Sequence, residues 1–162
     1  MSDQVLKLIP EDKNFLPDSE AAEKASALLE DFFPDGEQAE IEFSDSVKFI
    51  DGGENLERII CSFCNKTTEI NSFQENDVGT AWWYEVDEIL SGNPDLNTLE
   101  VKMPCCSQLS KIQDIDFSGA AGFSKFELCI WNPYSDNGIS EEQLSELENL
   151  LGCKLRQIWA HY

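Results

Sequence analysis

Apolar and polar residues alternate along this chain with two periods, which predict short strands and amphipathic helices. Residues 5–9 predict a strand that ends at Pro10. Residues 41–49 predict another, because apolar side chains occupy alternate positions at each end of the stretch. Between them, apolar residues recur every three or four positions and predict a helix from residue 18 or 19 to about residue 33. These helix residues are Ala22, Ala25, Leu28, Leu29 and Phe32.

The last third of the chain repeats the strand–helix–strand pattern. Residues 123–131 predict a strand, and residues 155–160 predict a closing strand. The helix between them has a capping-box start at Ser140 and Gln143, and Gly152 is placed as its left-handed end. Two βαβ units in succession resemble a ferredoxin-like α+β sandwich.

A long segment separates these two units. Residues 1–50 and 118–162 are therefore expected to be the two halves of the sandwich, with residues 51–117 as an inserted zinc-binding module. The competing interpretation is a treble-clef or zinc-ribbon core that carries α/β decoration.

The inserted module is predicted to contain one helix between two short strands, with strands at residues 56–60 and 99–103. Residues 107–122 are predicted to be loop-like. The helix is anchored by Trp82, Val86, Ile89 and Leu90. The run Trp82-Trp83-Tyr84 is either a stacking platform for a base or sugar, or a packing element. Packing is favoured, with one Trp on the zinc module and the other on the main core, because the surrounding residues are acidic.

Two cysteine pairs carry the clearest chemistry in the sequence. Cys61 and Cys64 have C-x-x-C spacing, which lets both sulfurs of a tight turn face one metal ion. Cys105 and Cys106 lie at the end of the second predicted strand. We expect the two pairs to form one site that holds one zinc ion per chain. Four thiolates make a closed site, so the metal is expected to be structural.

The first pair resembles the zinc knuckle of rubredoxin-like and zinc-ribbon proteins, which is written C-P-x-C-G. Ser62 replaces the proline and Asn65 replaces the glycine, and Asn also tolerates a left-handed backbone. Residues 103–107 resemble the same knuckle with Met103 at the first cysteine position.

Within this second knuckle, Pro104 and Cys106 stay in register with the pattern. The resemblance then implies that Cys105 supplies the fourth sulfur beside Cys106. His161, the one histidine of the chain, is the rival fourth ligand.

Other roles for the cysteines are a disulfide, buried thiols or a redox C-x-x-C. The N-terminus has no basic and apolar leader pattern, so a cytoplasmic protein is expected, and metal is favoured over disulfide there. A redox motif would open a helix, and residues 65–68 are a poor helix start. Cys129 and Cys153 lie in apolar stretches and are expected to be core residues.

The charge of the chain restricts its partners. The net charge is −21, from 11 basic and 32 acidic side chains. The Lys and Arg residues are scattered without a run, and their nearest approach is Lys154 and Arg156. A nucleic-acid or anionic membrane surface is not expected, because both require clustered cations. A basic protein is the expected partner.

Several further stretches resemble a family of small, uncharacterised bacterial proteins that carry such a knuckle. They are Gly53-Glu54-Asn55 before the C-x-x-C, Met103-Pro104-Cys105-Cys106, Ala121-Gly122-Phe123, Asn132-Pro133, and the ending from Leu151-Gly152-Cys153 to His161-Tyr162. The resemblance spans most of the chain. It implies a bacterial, cytoplasmic protein and no particular activity.

These observations favour a binding module over an enzyme. The sequence has no glycine-rich phosphate loop, no G-x-S-x-G and no helix with two metal-binding histidines. We expect a non-enzymatic, zinc-stabilised acidic module that binds a basic protein, one version being immunity-like neutralisation of a basic toxin. The alternative is an enzyme that uses surface carboxylates or His161 as a base.

Overall fold

The computed structural model describes residues 2–71, 77–135 and 137–162. Its strands are β1 Gln4–Pro10, β2 Glu40–Ile50, β3 Arg58–Ile60, β4 Thr67–Glu69, β5 Glu100–Lys102, β6 Leu109–Lys111, β7 Gly122–Trp131 and β8 Leu155–His161. Its helices are α1 Ser19–Phe32, α2 Val78–Ser91 and α3 Glu141–Leu151, and Ile112–Asp114 forms a 3₁₀ turn. None of the helices within these ranges is long and apolar enough to cross a membrane.

The four long strands form one antiparallel sheet in the order β2-β7-β1-β8. β1 lies inside the sheet, where Leu6 pairs with Ile130 of β7 and with Trp159 of β8. The predicted α+β class is therefore confirmed. The predicted strands at residues 5–9, 123–131 and 155–160 all fall within strands of this sheet.

Helices α1 and α3 cover one face of the sheet. Their apolar stripes bury Leu29 and Leu147 completely, against Leu6 and Leu128 of the sheet. The start of α3 is the predicted capping box: the Ser140 hydroxyl accepts from the Gln143 amide at 3.1 Å, and the Ser140 amide donates to the Gln143 side chain at 3.0 Å. These bonds satisfy amides that the first helical turn would leave unpaired.

In its described residues, 51–71 and 77–121, the segment between β2 and β7 contains two small hairpins and one α-helix. β3 pairs with β4 and β5 pairs with β6, each as an antiparallel two-stranded ribbon. A second apolar cluster joins this segment to the sheet. It contains Val86, Met103, Ile112, Ile115 and Phe117 from the segment, and Val47 and Phe123 from β2 and β7.

Aromatic rings form the joint between the sheet and the segment. The Phe49 ring of β2 lies 5.9 Å from Trp83 and 5.4 Å from Phe117, measured between ring centroids. Trp82 donates its indole N–H to the Lys102 carbonyl at 2.7 Å, which attaches α2 to β5. One tryptophan therefore contacts a cysteine hairpin and the other contacts the sheet, as the packing interpretation expected.

Two predictions within this segment were wrong. Residues 107–122 were expected to be loop-like, but they contain β6 and the 3₁₀ turn. Ile89 was expected to anchor α2, but it is 45% exposed. Strand β4 was not predicted either. A strand of three residues is too short to show an apolar alternation, so the pairing of these strands is set by the turns that join them.

Candidate metal centre

The first cysteine turn follows β3 and is closed by backbone hydrogen bonds. The Cys61 amide donates to the Lys66 carbonyl at 3.0 Å, and the Asn65 amide donates to the Cys61 carbonyl at 3.0 Å. Asn65 has a φ of 57°, which is the left-handed conformation expected at the glycine position of a knuckle. The Phe63 amide points at Cys61 Sγ, at 3.4 Å.

The second cysteine turn repeats this geometry forty-two positions later. The Met103 amide donates to the Gln108 carbonyl at 2.9 Å, and the Ser107 amide donates to the Met103 carbonyl at 3.1 Å. Ser107 is left-handed, with a φ of 63°. Met103 therefore occupies the backbone position that Cys61 holds in the first turn, and Cys106 occupies that of Cys64.

Met103 stands at the position of the first cysteine of a knuckle. Its side chain is buried in the core, and the turn keeps its backbone hydrogen bonds. Met103 is 1% exposed and belongs to the apolar cluster of the segment. The additional sulfur of this turn comes from Cys105, at the position that Phe63 holds in the first turn. The backbone thus brings two neighbouring cysteines to one side of the second turn.

The two turns bring four sulfurs together. The Sγ atoms of Cys61, Cys64, Cys105 and Cys106 all lie within 4.8 Å of one another. Across the two hairpins, Cys61 Sγ lies 3.7 Å from Cys106 Sγ, and Cys64 Sγ lies 3.4 Å from Cys105 Sγ. Four thiolates bound tetrahedrally to zinc at about 2.3 Å have their sulfurs about 3.8 Å apart. The cluster therefore has the ligand type and the spacing that zinc requires.

The thiols of this cluster differ in acidity. Burial works to raise the pKa of Cys61, but hydrogen bonds from the backbone amides of Cys64 and Phe63, and then from the neighbouring thiols, lower it to about 7. Burial, together with hydrogen bonds to the neighbouring thiols, raises the pKa of Cys105 to about 12. One sulfur is thus ready to be a thiolate near neutral pH, and a bound cation would draw protons from the others.

The remaining cysteines lie outside the cluster. Cys129 is buried in β7, with its sulfur 3.9 Å from a Glu40 carboxylate oxygen. Burial raises the pKa of Cys129 to about 12 and that of Cys153 to about 11. Cys129 is buried, as expected of a core residue, whereas Cys153 is half-buried and only packs against the core.

His161, the rival ligand, does not belong to the cysteine cluster. It ends β8, and its Nδ1 lies 3.4 Å from a Glu54 carboxylate oxygen. Its carbonyl accepts from the Glu54 amide at 2.8 Å, and its amide donates to the Gly52 carbonyl at 3.2 Å. A side chain at Gly53 would place its Cβ 2.2 Å from the His161 carbonyl, so this close approach requires glycine.

A cavity of about 890 Å³ lies between the end of β8 and the segment that joins β2 to β7, and no local pattern in the sequence predicts it. His161, Trp83, Tyr84 and Tyr162 lie in its wall. Its carboxylates are those of Asp51, Glu54, Glu57, Glu69, Asp77 and Asp87. Burial, and then repulsion from Asp51, raise the pKa of Asp87, as expected for a concentration of negative charge.

One cation is buried beside this cavity. The Lys7 ammonium donates to the Asp51 carboxylate at 3.1 Å and to the Tyr162 hydroxyl at 2.8 Å. The Tyr162 hydroxyl donates to the other Asp51 oxygen at 2.8 Å. Burial works against the charge of Lys7, but these partners outweigh it and raise the pKa of Lys7. These hydrogen bonds connect Tyr162 to Lys7 of β1 and to Asp51, which follows β2.

Cations that are scattered in the sequence are gathered by the fold. Arg58, Lys66, Lys102 and Lys111 lie on the two cysteine hairpins, whose acids are Glu69, opposite Arg58, and Glu100, opposite Lys111. The ion pairs recorded for the described residues do not include these four side chains. The hairpins therefore differ in charge from the acidic remainder of the molecule.

Comparison of the chain with protein-family models finds no match, and comparisons with curated proteins and with solved structures find none either.

Proposed function

We propose that this protein binds one structural zinc ion through Cys61, Cys64, Cys105 and Cys106. The observation that supports the proposal is the convergence of four sulfurs within 4.8 Å on two turns of matching geometry. The zinc would supply a cross-link between two hairpins that share no strand pairing with each other. His161 lies against Glu54, so we assign the fourth position to Cys105 rather than to His161.

We further propose that the fold is a ferredoxin-like sandwich interrupted by a zinc-ribbon-like module. The strand order β2-β7-β1-β8, antiparallel throughout, supports this assignment, as does the pair of helices on one face. Residues 1–50 and 118–162 would be the sandwich halves, and residues 51–117 the module.

We propose that the protein is a non-enzymatic binding module for a basic protein. The support is its net charge of −21, together with a cavity whose lining includes six acidic residues. Aromatic faces and carboxylates in one cavity suit the ammonium or guanidinium groups of Lys and Arg side chains. Immunity-like neutralisation of a basic toxin is the concrete form, because an acidic surface steers a basic partner into rapid association.

A charge-matched pair of variants tests this proposal. One variant carries Glu57→Gln, Glu69→Gln and Asp87→Asn in the cavity; the other carries Glu23→Gln, Asp31→Asn and Glu146→Gln on the helices. Basic proteins captured from source-cell extract by the wild type are identified, and their association rates with each variant are measured at low and high salt. We expect the cavity variant to associate at least about tenfold more slowly, and the rates to fall as salt rises.

Equal rates for both variants, or rates that do not depend on salt, would mean that the acidic side chains serve only solubility.

We also propose that neither nucleic acid nor a membrane is a partner. If the protein does bind nucleic acid, the cations of the cysteine hairpins are where we expect the binding to occur. Binding of a labelled DNA duplex and of an RNA should therefore be measured at physiological salt. Binding that Lys66→Glu abolishes would contradict the exclusion.

An enzyme is the second candidate function, and one contact favours it. His161 lies in the cavity with its Nδ1 beside Glu54, which is an arrangement that orients an imidazole as a base. A turnover reaction that is lost in His161→Gln while zinc content and partner binding are unchanged would favour this candidate over a binding module.

We propose a cytoplasmic location in a bacterium, on the family resemblance of the sequence. The six cysteines are free thiols in the structure, which suits a reducing compartment.

A further inference from the structure

The closest sulfur contacts of the cluster cross from one hairpin to the other. Cys64 Sγ lies 3.4 Å from Cys105 Sγ, and these residues are 41 positions apart in the chain. Cys61 and Cys106 form the other crossing contact, at 3.7 Å. A bond between Cys105 and Cys106 would instead be strained, because adjacent Cα atoms are about 3.8 Å apart and a disulfide needs about 4.4–6.8 Å.

The four sulfurs also differ in their access to solvent. Cys64 is exposed, Cys105 and Cys106 are half-buried, and Cys61 is 1% exposed. A small oxidant that arrives from solvent therefore meets Cys64 first. The sulfur placed to react with an oxidised Cys64 is that of Cys105, across the gap between the hairpins.

We propose that the cluster is a peroxide-responsive site in which oxidation joins Cys64 to Cys105 and releases the metal. The Cys64 thiolate attacks one oxygen of hydrogen peroxide, the O–O bond breaks, and Cys64 becomes a sulfenic acid while hydroxide leaves and takes a proton from solvent to form water. The Cys105 thiolate then attacks the Cys64 sulfur, the S–S bond forms, the S–O bond breaks, and a second hydroxide leaves as water in the same way. Two electrons pass from the two thiolates to one peroxide, and two sulfurs joined as a disulfide can no longer bind a cation as thiolates.

The cross-link takes the place of the metal as a connection between the hairpins. It ties the same two turns together and restricts the unfolded chain over the segment between them. The inserted segment would therefore keep its folded arrangement in oxidising conditions that remove a thiolate-bound zinc. The metal release rests on the zinc proposal, whereas the choice of disulfide partners rests on the sulfur positions alone.

Peptide mapping of the full-length protein tests the pairing. The purified chain is treated with graded hydrogen peroxide, blocked with iodoacetamide and digested without reduction, while a colorimetric indicator follows zinc release. We expect a peptide pair that joins residue 64 to residue 105 to form first, together with loss of the zinc. A Cys61–Cys64 link, a Cys105–Cys106 link or a random mixture as the first product would overturn the proposal.

Two variants separate this inference from the zinc proposal. Cys105→Ser should lose the cross-linked species, and Cys153→Ser, outside the cluster, should retain it. If the protein as purified contains no zinc but still forms the 64–105 link, the zinc site is contradicted and the pairing is supported. Zinc-loaded protein that forms a Cys61–Cys64 link would contradict the pairing and leave the zinc site in place.

Discussion

The four-stranded sheet and the cysteine hairpins are built from strands of very different length. β2 has eleven residues and β7 has ten, and they pair along most of their length. The strands β3, β4, β5 and β6 have three residues each and pair as two-stranded ribbons, to which Ile60 adds one isolated bridge with Asp116. The sheet therefore has many mutually supporting hydrogen bonds and a helical layer, while each hairpin has few.

Because of this difference in strand length, the hairpins need a cross-link and the sheet does not. An isolated two-stranded hairpin is at best marginally stable in water, and three or more strands or a packed partner are required. The hairpins obtain some support from α2 and from the apolar cluster around Met103 and Phe117. The four sulfurs lie where the two turns meet, beside that cluster, to which Cys61 belongs and against which Cys105 and Cys106 pack. We therefore expect the metal to matter to the hairpins and hardly at all to the sheet.

The largest effect is expected from Cys64→Ser. Loss of a metal ligand should remove the zinc and destabilise the hairpins by more than about 4 kcal/mol, because metal affinity in such a site is folding free energy. Hydrogen exchange should become fast in residues 58–69 and 100–111 and stay slow in β1 and β7. Cys129→Ser is the control and should keep the zinc. Equal loss of protection in the sheet would show that the two regions do not differ as described.

A smaller effect is expected at the joint between the regions. Phe117 is 3% exposed, and its ring lies within 6.0 Å of the Phe49, Trp83 and Phe123 rings. Phe117→Ala should lower the free energy of unfolding by about 3–5 kcal/mol, because it leaves a cavity between the sheet and the segment. Phe63→Ala, at a 49% exposed ring, should change it by less than about 1 kcal/mol. Chemical denaturation of both variants makes the comparison.

The smallest effect is expected from Lys7→Met, which breaks the contact with Asp51 and Tyr162. We expect a loss of about 1–2 kcal/mol near neutral pH, since Asp51 is partly solvated. The pKa of Lys7 is raised from 10.5, so its contribution is complete below that pH and is lost as pH rises through the higher folded value. The pKa of Asp51 is lowered from 3.8, so its contribution is lost only as pH falls through the lower folded value.

Denaturant unfolding at several pH values checks this dependence. The difference between wild type and Lys7→Met should be constant from about pH 5 to about pH 10 and should shrink above that range. Lys24→Met removes an exposed pair with Glu20 and should change stability by less than about 0.5 kcal/mol at any of these pH values. A difference that grows in alkali would contradict the assigned ion pair.

The long elements could be predicted because their signals are local. An apolar period of two or of three to four residues fixes the strands of the sheet and the three helices, and the capping box places the start of α3 at Ser140. The order of strands in the sheet has no comparable local signal. It depends on how strands that are far apart in the chain pack together, and we made no prediction of it from the sequence.

The candidate site could be predicted only in part. The spacing of Cys61 and Cys64, and the register of Met103 with Cys61, are visible in the sequence because each knuckle is a local turn. The cavity is not visible, because its acidic residues come from four separate elements and loops and each resembles an ordinary surface acid. Lys7 and Tyr162 stand 155 positions apart, and nothing in either local sequence marks them as partners.

X-ray absorption at the zinc edge of the purified protein is the decisive test of the four-cysteine site, because it counts and identifies the atoms bound to the metal. We predict one zinc per chain with four sulfurs at about 2.3 Å, and an unchanged spectrum for His161→Gln. A shell that contains nitrogen or oxygen, a spectrum that changes with His161→Gln, or a folded chain that binds no zinc would contradict it.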